Sequence, residues 1–139
     1  SWIQEAVAEG ATVVTGGERD GAVMSATILA DVTPDMKISR DELFGPAVGI
    51  TKVSGIDEAI SLANDTRFGL SAAIFTESVD SAMRFALEVD SGNLNVNGPT
   101  MFRADLMPYG GLKDSGLGKE GPPYAIDEMT ELKMVIFHR

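Results

Sequence analysis

Residues 47–97 read AVGITKVSGIDEAISLANDTRFGLSAAIFTESVDSAMRFALEVDSGNLNVN, and this stretch decides the fold. Three runs rich in apolar residues predict strands, at 47–53, 70–76 and 93–97. Two stretches with apolar residues three or four positions apart predict helices between them, at 56–66 and 78–90. Strands that alternate with helices are typical of layered α/β proteins. The stretch therefore predicts an α/β fold in which helices flank an open, largely parallel and twisted sheet.

The rest of the chain extends this core on both sides. Ahead of it, the pattern predicts a short helix at 2–9, two strands within 11–32 and a loop from Pro34 to Pro46. Behind it, a stretch rich in glycine and proline at 98–123 leads to a short helix at 124–129 and a last strand at about 130–137. Loops as long as 98–123 usually carry function. No repeat or linker divides the chain, so one domain over residues 1–139 is predicted.

Composition limits the classes of function. The chain has 21 acidic and 11 basic residues and a net charge of −10, which disfavours nucleic-acid and membrane binding because both need cationic surfaces. It has no cysteine and a single histidine, His138, so no disulfide, thiol chemistry or metal site is expected. This composition is compatible with the cytoplasm. The chain opens with Ser1 and shows no signal peptide, so we interpret it as a fragment of a longer protein.

The turn Glu42-Leu43-Phe44-Gly45-Pro46 is the first candidate site. Pro46 keeps Gly45 away from helical angles, so a constrained loop presents a carboxylate and an aromatic ring two residues apart. A carboxylate can hold a ribose diol by two hydrogen bonds, and an aromatic face can lie beside a flat ring. The alternative is a loop whose Phe44 fills the core and whose Glu42 is only solvated, and composition by itself favours that alternative.

Two later segments also have an unusual composition. Asn93, Asn95 and Asn97 alternate along one predicted strand, where asparagine is rare, and they indicate either a hydrogen-bonded buried face or the wall of a wet cavity. The segment 108–116 is dense in glycine and could be a purely structural loop. Residues 116–121 match the GxGxxG pattern of dinucleotide binding, but no predicted strand precedes them and the chain ends too early for the expected acid. We therefore treat that match as chance.

Together, five segments resemble the aldehyde dehydrogenase superfamily, in the order in which that family has them. They are DELFGP at 41–46, NDTRFGLSAAIFT at 64–76, SGNLNVN at 91–97, MPYGGLKDSGLGKEG at 107–121 and YAIDEMTELKMVIF at 124–137. Each is short, but their shared order over nearly the whole chain argues against coincidence. The resemblance implies the C-terminal part of a catalytic domain, and NAD or NADP as the cofactor of the intact enzyme.

The resemblance also implies roles for single residues. Glu42 would bind the nicotinamide ribose, and Phe44 would pack by the nicotinamide ring. The loop Pro99–Pro108 would help to line the aldehyde tunnel, with Phe102 as an aromatic of the tunnel wall. Tyr109 matches an aromatic near the substrate.

Three further features carry implications from the same resemblance. Glu120 matches an acid with a structural or proton-relay role. The strand at about 130–137 resembles the piece that joins the sheet of a neighbouring subunit, which implies a homo-oligomer. The segment around Arg103 is similar to members that act on small, sometimes anionic aldehydes. Arg103 could bind a substrate carboxylate or phosphate, and an ion pair with Asp105 is the simpler alternative.

Catalysis in this family needs a cysteine that attacks the aldehyde and forms a thiohemiacetal. The chain has no cysteine, so none of its residues is predicted to be catalytic and the fragment is expected to be inactive alone. The competing interpretation is a non-catalytic assembly or binding module. In that case the apolar strand at about 130–137 would pair with another chain, as exposed edge strands do.

Overall fold

Over residues 47–97, strands and helices follow one another in the order that the sequence predicts. The computed structural model describes residues 1–139. The helices are α1 (Trp2–Ala8), α2 (Lys37–Arg40), α3 (Ile56–Asn64), α4 (Val79–Glu88) and α5 (Pro122–Met129). The strands are β1 (Thr12–Thr15), β2 (Arg19–Asp20), β3 (Val23–Met24), β4 (Thr27–Ala30), β5 (Ala47–Gly49), β6 (Phe68–Gly69), β7 (Ser71–Ile74), β8 (Asn93–Val96) and β9 (Leu112–Lys113). The sheets are open, so the predicted α/β class is confirmed.

The chain divides into two compact units, and the first, Ser1–Leu62, is built on a three-stranded sheet. β4 is the central strand and pairs antiparallel with β1 and parallel with β5. Leu29 in β4 is fully buried, and the core around it also contains Ala6, Val32 and Met36. Burial of these aliphatic side chains holds the sheet against α1 and the segment before α2. The loop that leads into β5 is thereby attached to a packed support.

The second unit, Ala63–Arg139, contains a parallel strand pair connected by a helix. β7 and β8 are parallel, with Ser71 opposite Asn93, and α4 connects them. Ser78 begins α4, where its hydroxyl accepts a hydrogen bond from Ser81 N at 3.2 Å, as expected of an N-cap serine. β6 pairs antiparallel with β9. This pairing holds the glycine-rich segment beside the start of β7.

Some predicted elements differ from the observed ones. α2 is a single helical turn inside the predicted loop, and residues 19–24 form the small hairpin β2–β3 in addition to the two strands predicted within 11–32. The last predicted strand, at about 130–137, is absent: residues 130–139 are exposed and belong to no sheet. A strand needs a neighbour for its N–H and C=O groups, and no other segment of the chain pairs with this one. The prediction of one domain over residues 1–139 stays a prediction.

None of the helices combines the length and the apolar character that a membrane-spanning segment requires.

Candidate functional site

The turn at 42–46 forms a constrained loop directly before β5, and most of its residues are exposed. Thr27 N donates a hydrogen bond to Pro46 O at 2.8 Å, which ties the end of the turn to β4. Phe44 is 91% exposed, so the alternative in which its ring fills the core is wrong. Glu42 is also exposed, and its carboxylate has no hydrogen-bond or ion-pair partner in the chain. The turn therefore offers a free carboxylate and a free aromatic ring to an external group.

A cavity of about 270 Å³ opens beside this turn. Trp2, Met24 and the residues 43–47 line it. Lys37 Nζ lies 4.7 Å from the centroid of the Trp2 ring, a cation–π contact that favours a fixed indole orientation. Apolar and aromatic linings with a few polar groups nearby are typical of small-molecule sites. This lining suits a flat uncharged ring, and the free carboxylate of Glu42 suits hydroxyl groups.

The three asparagines of β8 and its end have different roles. Asn97 Oδ1 accepts from Thr76 N, and Asn97 Nδ2 donates to Thr76 O, at 2.8 and 2.9 Å. Asn93 Nδ2 donates to Ser71 Oγ at 3.3 Å and is 3.5 Å from Phe102 O. The Nδ2 group of Asn95 is buried without a partner. Asn93 and Asn97 therefore fix the strand and the loop that follows it. Asn97 is exposed and lies beyond β8, so the three asparagines do not form the predicted buried face.

The loop from 98 to 108 is held by its own backbone and by β7. Ser71 Oγ donates to Thr100 O at 2.9 Å, and Phe102 N donates to Pro99 O at 3.2 Å. Further along, Met107 N donates to Ala104 O at 3.1 Å. These turns leave the Phe102 side chain 59% exposed. The loop thus presents Phe102 and Arg103 on an ordered framework.

Arg103 pairs with Glu120, so the expected pairing with Asp105 is wrong. Arg103 Nη2 lies 2.6 Å from Glu120 Oε2, and Arg103 Cζ lies 4.8 Å from the centroid of the Tyr109 ring. The cause is a backbone bridge. Tyr109 N donates to Glu120 O at 3.2 Å and Glu120 N donates to Tyr109 O at 2.6 Å, so Glu120 returns to the base of the loop. Three of the predicted site residues are thereby brought together.

Two residues that the sequence analysis did not single out hold this arrangement. Lys119 Nζ donates to Gly110 O at 2.9 Å and to Gly111 O at 3.1 Å, and Glu128 Oε1 accepts from Lys119 N at 3.0 Å. A Cβ on Gly92 would lie 1.7 Å from Gly110 O, so only glycine fits there. No sequence signal marks these contacts, because they join residues through the fold of an irregular loop.

The GxGxxG match at 116–121 does not stand in a dinucleotide-binding context. It lies between β9 and α5, but β9 is antiparallel and no strand follows α5. A dinucleotide fingerprint requires a parallel strand-helix-strand unit around the glycines. Gly116, Gly118 and Gly121 all have positive φ, which explains the glycines by backbone conformation.

No group of three or more His, Cys, Asp or Glu side chains is arranged to hold a metal ion. The chain also has no cysteine. The predicted site residues fall into two groups: Glu42 and Phe44 in the first unit, and Phe102, Arg103, Tyr109 and Glu120 in the second. The first group can bind hydroxyls and a flat ring. The second presents aromatic surface and one cation.

Comparison with known proteins gives one consistent family. The sequence pattern described as the aldehyde dehydrogenase family matches residues 1–135. A 3-sulfolactaldehyde dehydrogenase of Priestia aryabhattai is 51% identical over 137 residues, which is 99% of this chain and 29% of that protein. A lactaldehyde dehydrogenase of Methanococcus vannielii is 42% identical over 136 residues, 98% of this chain and 29% of that protein.

Solved structures give the same result. A glyceraldehyde-3-phosphate dehydrogenase of Methanocaldococcus jannaschii, crystallised with NADP, superposes with a TM-score of 0.89 at 39% identity. The match covers 95% of this chain and 28% of that one. The chain thus spans about 29% of the length of the curated relatives that it matches.

Proposed function

The chain belongs to the aldehyde dehydrogenase family, and from this premise we propose that it is the C-terminal part of an NAD(P)-dependent enzyme that oxidises an aldehyde to a carboxylic acid. The observation that carries the proposal is the turn at 42–46, which presents an unpaired carboxylate and a ring 91% exposed within a matched family pattern. The intact enzyme belongs to the cytoplasm in this proposal.

The first unit would contribute to the cofactor site. Glu42 has no partner inside the chain, so its two carboxylate oxygens are free to accept hydrogen bonds from a ribose diol. Phe44 and the cavity of about 270 Å³ beside it suit one flat face of a nicotinamide ring. NAD or NADP, when bound, would accept the hydride that the aldehyde loses. The residues present thus fit the part of the cofactor that carries the reacting ring.

The second unit would contribute to the substrate site. Phe102 and Tyr109 offer aromatic surface for the walls of an aldehyde tunnel. Arg103 beside them offers N–H donors for a terminal anion. The relatives named above act on lactaldehyde and on 3-sulfolactaldehyde, which differ by one sulfonate group. We therefore place the substrate among short aldehydes, with Arg103 as the contact for a carboxylate, phosphate or sulfonate where one is present.

The chemistry itself would use groups outside residues 1–139. The attack on the aldehyde needs a nucleophile such as a thiolate, and the chain contains no cysteine. Glu120 would have a structural or proton-relay role toward that centre. The isolated chain is therefore expected to be inactive, and the intact enzyme would form a homo-oligomer through residues 130–137.

A second candidate function is a non-catalytic assembly module. The observation that favours it is the exposed apolar C-terminal segment, in which Leu132, Met134 and Phe137 have no cover within the chain. Such surface favours association.

One experiment separates the two. The enzyme that carries this chain is incubated with lactaldehyde or 3-sulfolactaldehyde and with NAD⁺ or NADP⁺, and formation of the reduced cofactor is followed by absorbance. The 139-residue chain alone is the comparison. Reduction by the enzyme and none by the chain is the expected result. No reduction with any of these aldehydes, by a folded enzyme that still assembles, would leave the assembly module as the better description.

A further inference from the structure

Arg103, Tyr109 and Glu120 form a charged cluster on the surface of the second unit. Arg103 Nη2 and Glu120 Oε2 are 2.6 Å apart, and the two side chains are 49% and 63% exposed. The guanidinium also lies over the Tyr109 ring, with Cζ 4.8 Å from its centroid. In this arrangement the charge of Arg103 is balanced by Glu120.

Most of the guanidinium remains unused in this contact. Arginine has five N–H donors in a fixed fork, and only Nη2 donates to an acceptor of the chain. Nε, Nη1 and the second N–H of Nη2 have no acceptor in the chain, so one of the two donor edges of the guanidinium, Nε with Nη2 or Nη1 with Nη2, is still open. A sulfonate, phosphate or carboxylate can accept from two such N–H groups at once. Arg103 has room for a substrate anion, but that anion must share the guanidinium with Glu120.

Sharing opposes binding of the substrate anion. Two negative groups on one guanidinium repel each other, and the attraction of each is reduced by the presence of the other. An exposed ion pair is weak and screened by solvent, so a substrate anion can bind Arg103 although Glu120 is already there. The repulsion between the two anions still makes binding of the substrate less favourable.

Building on the proposed function, we infer that Glu120 is a specificity-determining residue that competes with the terminal anion of the aldehyde for Arg103. Glu120 reduces the preference of the enzyme for aldehydes that end in a sulfonate, phosphate or carboxylate. Uncharged aldehydes of the same length make no such contact, and their binding is independent of the pair.

Asp105 provides the matched control. It lies two residues from Arg103 and carries the same charge as Glu120, but it forms no ion pair with Arg103. Asp105→Asn removes one negative charge from the loop without touching the contact. An effect that comes only from the loss of one negative charge is therefore the same in both variants. An effect that comes from the loss of competition for the guanidinium is found only in Glu120→Gln.

The test measures kcat/KM for 3-sulfolactaldehyde and for lactaldehyde in the enzyme that carries this chain. The readout is the ratio of the two values, because any effect of Glu120 on the chemical step acts on both aldehydes and cancels. Glu120→Gln should raise the ratio about three- to five-fold, the size of an exposed ion pair. Asp105→Asn should leave the ratio at the wild-type value. In a background of Arg103→Gln, the substitution at Glu120 should no longer change the ratio.

A lowered ratio in Glu120→Gln would overturn the inference, since Glu120 would then orient Arg103 for the substrate. A ratio equal to that of Asp105→Asn would overturn it as well. If the glutamine variant does not fold, Glu120→Asp replaces it in the test. Its shorter side chain holds the carboxylate further from Arg103, so the ratio should again rise. A wild-type enzyme that oxidises neither aldehyde would remove the proposed function too, whereas normal oxidation with an unchanged ratio would remove only this inference.

Discussion

The side-chain amide of Asn97 bonds both backbone groups of Thr76. Thr76 N donates to Asn97 Oδ1 at 2.8 Å, and Asn97 Nδ2 donates to Thr76 O at 2.9 Å. Asn97 has a φ of 54°, in the left-handed region that asparagine tolerates better than most residues. The contact joins the segments that follow the two parallel strands, at the point where the loop 98–108 begins.

Asn97→Ala should therefore lower the free energy of unfolding by about 1–2 kcal/mol, because two hydrogen bonds are lost and alanine has no local bond to support a left-handed backbone. Asn97→Asp keeps the acceptor for Thr76 N and should lose about half as much. Urea denaturation measures both changes. Equal stability of the alanine variant and the wild type would show that this amide does not hold the loop.

Glu42→Gln should impair the reaction more than the fold. The exposed carboxylate has no partner in the chain, so the melting temperature should not change. The loss of a charged acceptor for the ribose diol should reduce kcat/KM for the cofactor about ten- to a hundred-fold. Asp41→Asn, which removes the same charge from the adjacent residue, is the control. Unchanged turnover by a stable Glu42→Gln enzyme would count against the cofactor assignment.

The sequence predicted the fold well where local pattern decides structure. The helical spacing of apolar residues at 56–66 and 78–90 places α3 and α4, and the apolar runs at 70–76 and 93–97 place β7 and β8. The strand at about 130–137 was not found because a strand is not a local property. Its hydrogen bonds need a partner that this chain does not contain.

Side-chain partners were harder to predict than side-chain types. Arg103 was expected beside Asp105, two residues away, but it pairs with Glu120, 17 residues away. The backbone bridge between Tyr109 and Glu120 decides this, and its position depends on glycine conformations that the sequence permits without specifying. The same reason applies to Lys119, whose contacts with two carbonyl groups exist only once the loop has folded.

The pKa of Glu58 should respond to one hydroxyl group. The Ser54 hydroxyl and backbone N–H donate to Glu58 Oε2 at 2.6 and 2.7 Å, and these bonds lower the pKa of Glu58 from the ordinary value of a glutamate. A depressed folded-state pKa adds stability that is present above the unfolded pKa and is lost as pH falls through the folded one.

Ser54→Ala should raise the pKa only part of the way, because the backbone donor remains. Ser54→Thr should leave it low. NMR titration of the glutamate side chains measures all three, and identical pKa values for alanine and threonine would exclude the hydroxyl as the cause.

The C-terminal segment should control assembly. Residues 131–137 carry exposed apolar side chains, with Phe137 90% exposed, and their backbone N–H and C=O groups have no strand partner. Pairing with another copy would satisfy these groups and cover the apolar surface.

We expect the wild-type protein to sediment as a dimer or larger species, and a form lacking residues 131–139 to shift toward the monomer at the same concentration. Lys133→Gln changes a charge in the same segment without reducing its apolar surface, so this variant should assemble normally. A wild-type protein that stays monomeric at every concentration tested would contradict both the proposed homo-oligomer and the alternative of an assembly module, and would leave the exposed side chains to be covered by another part of the intact enzyme.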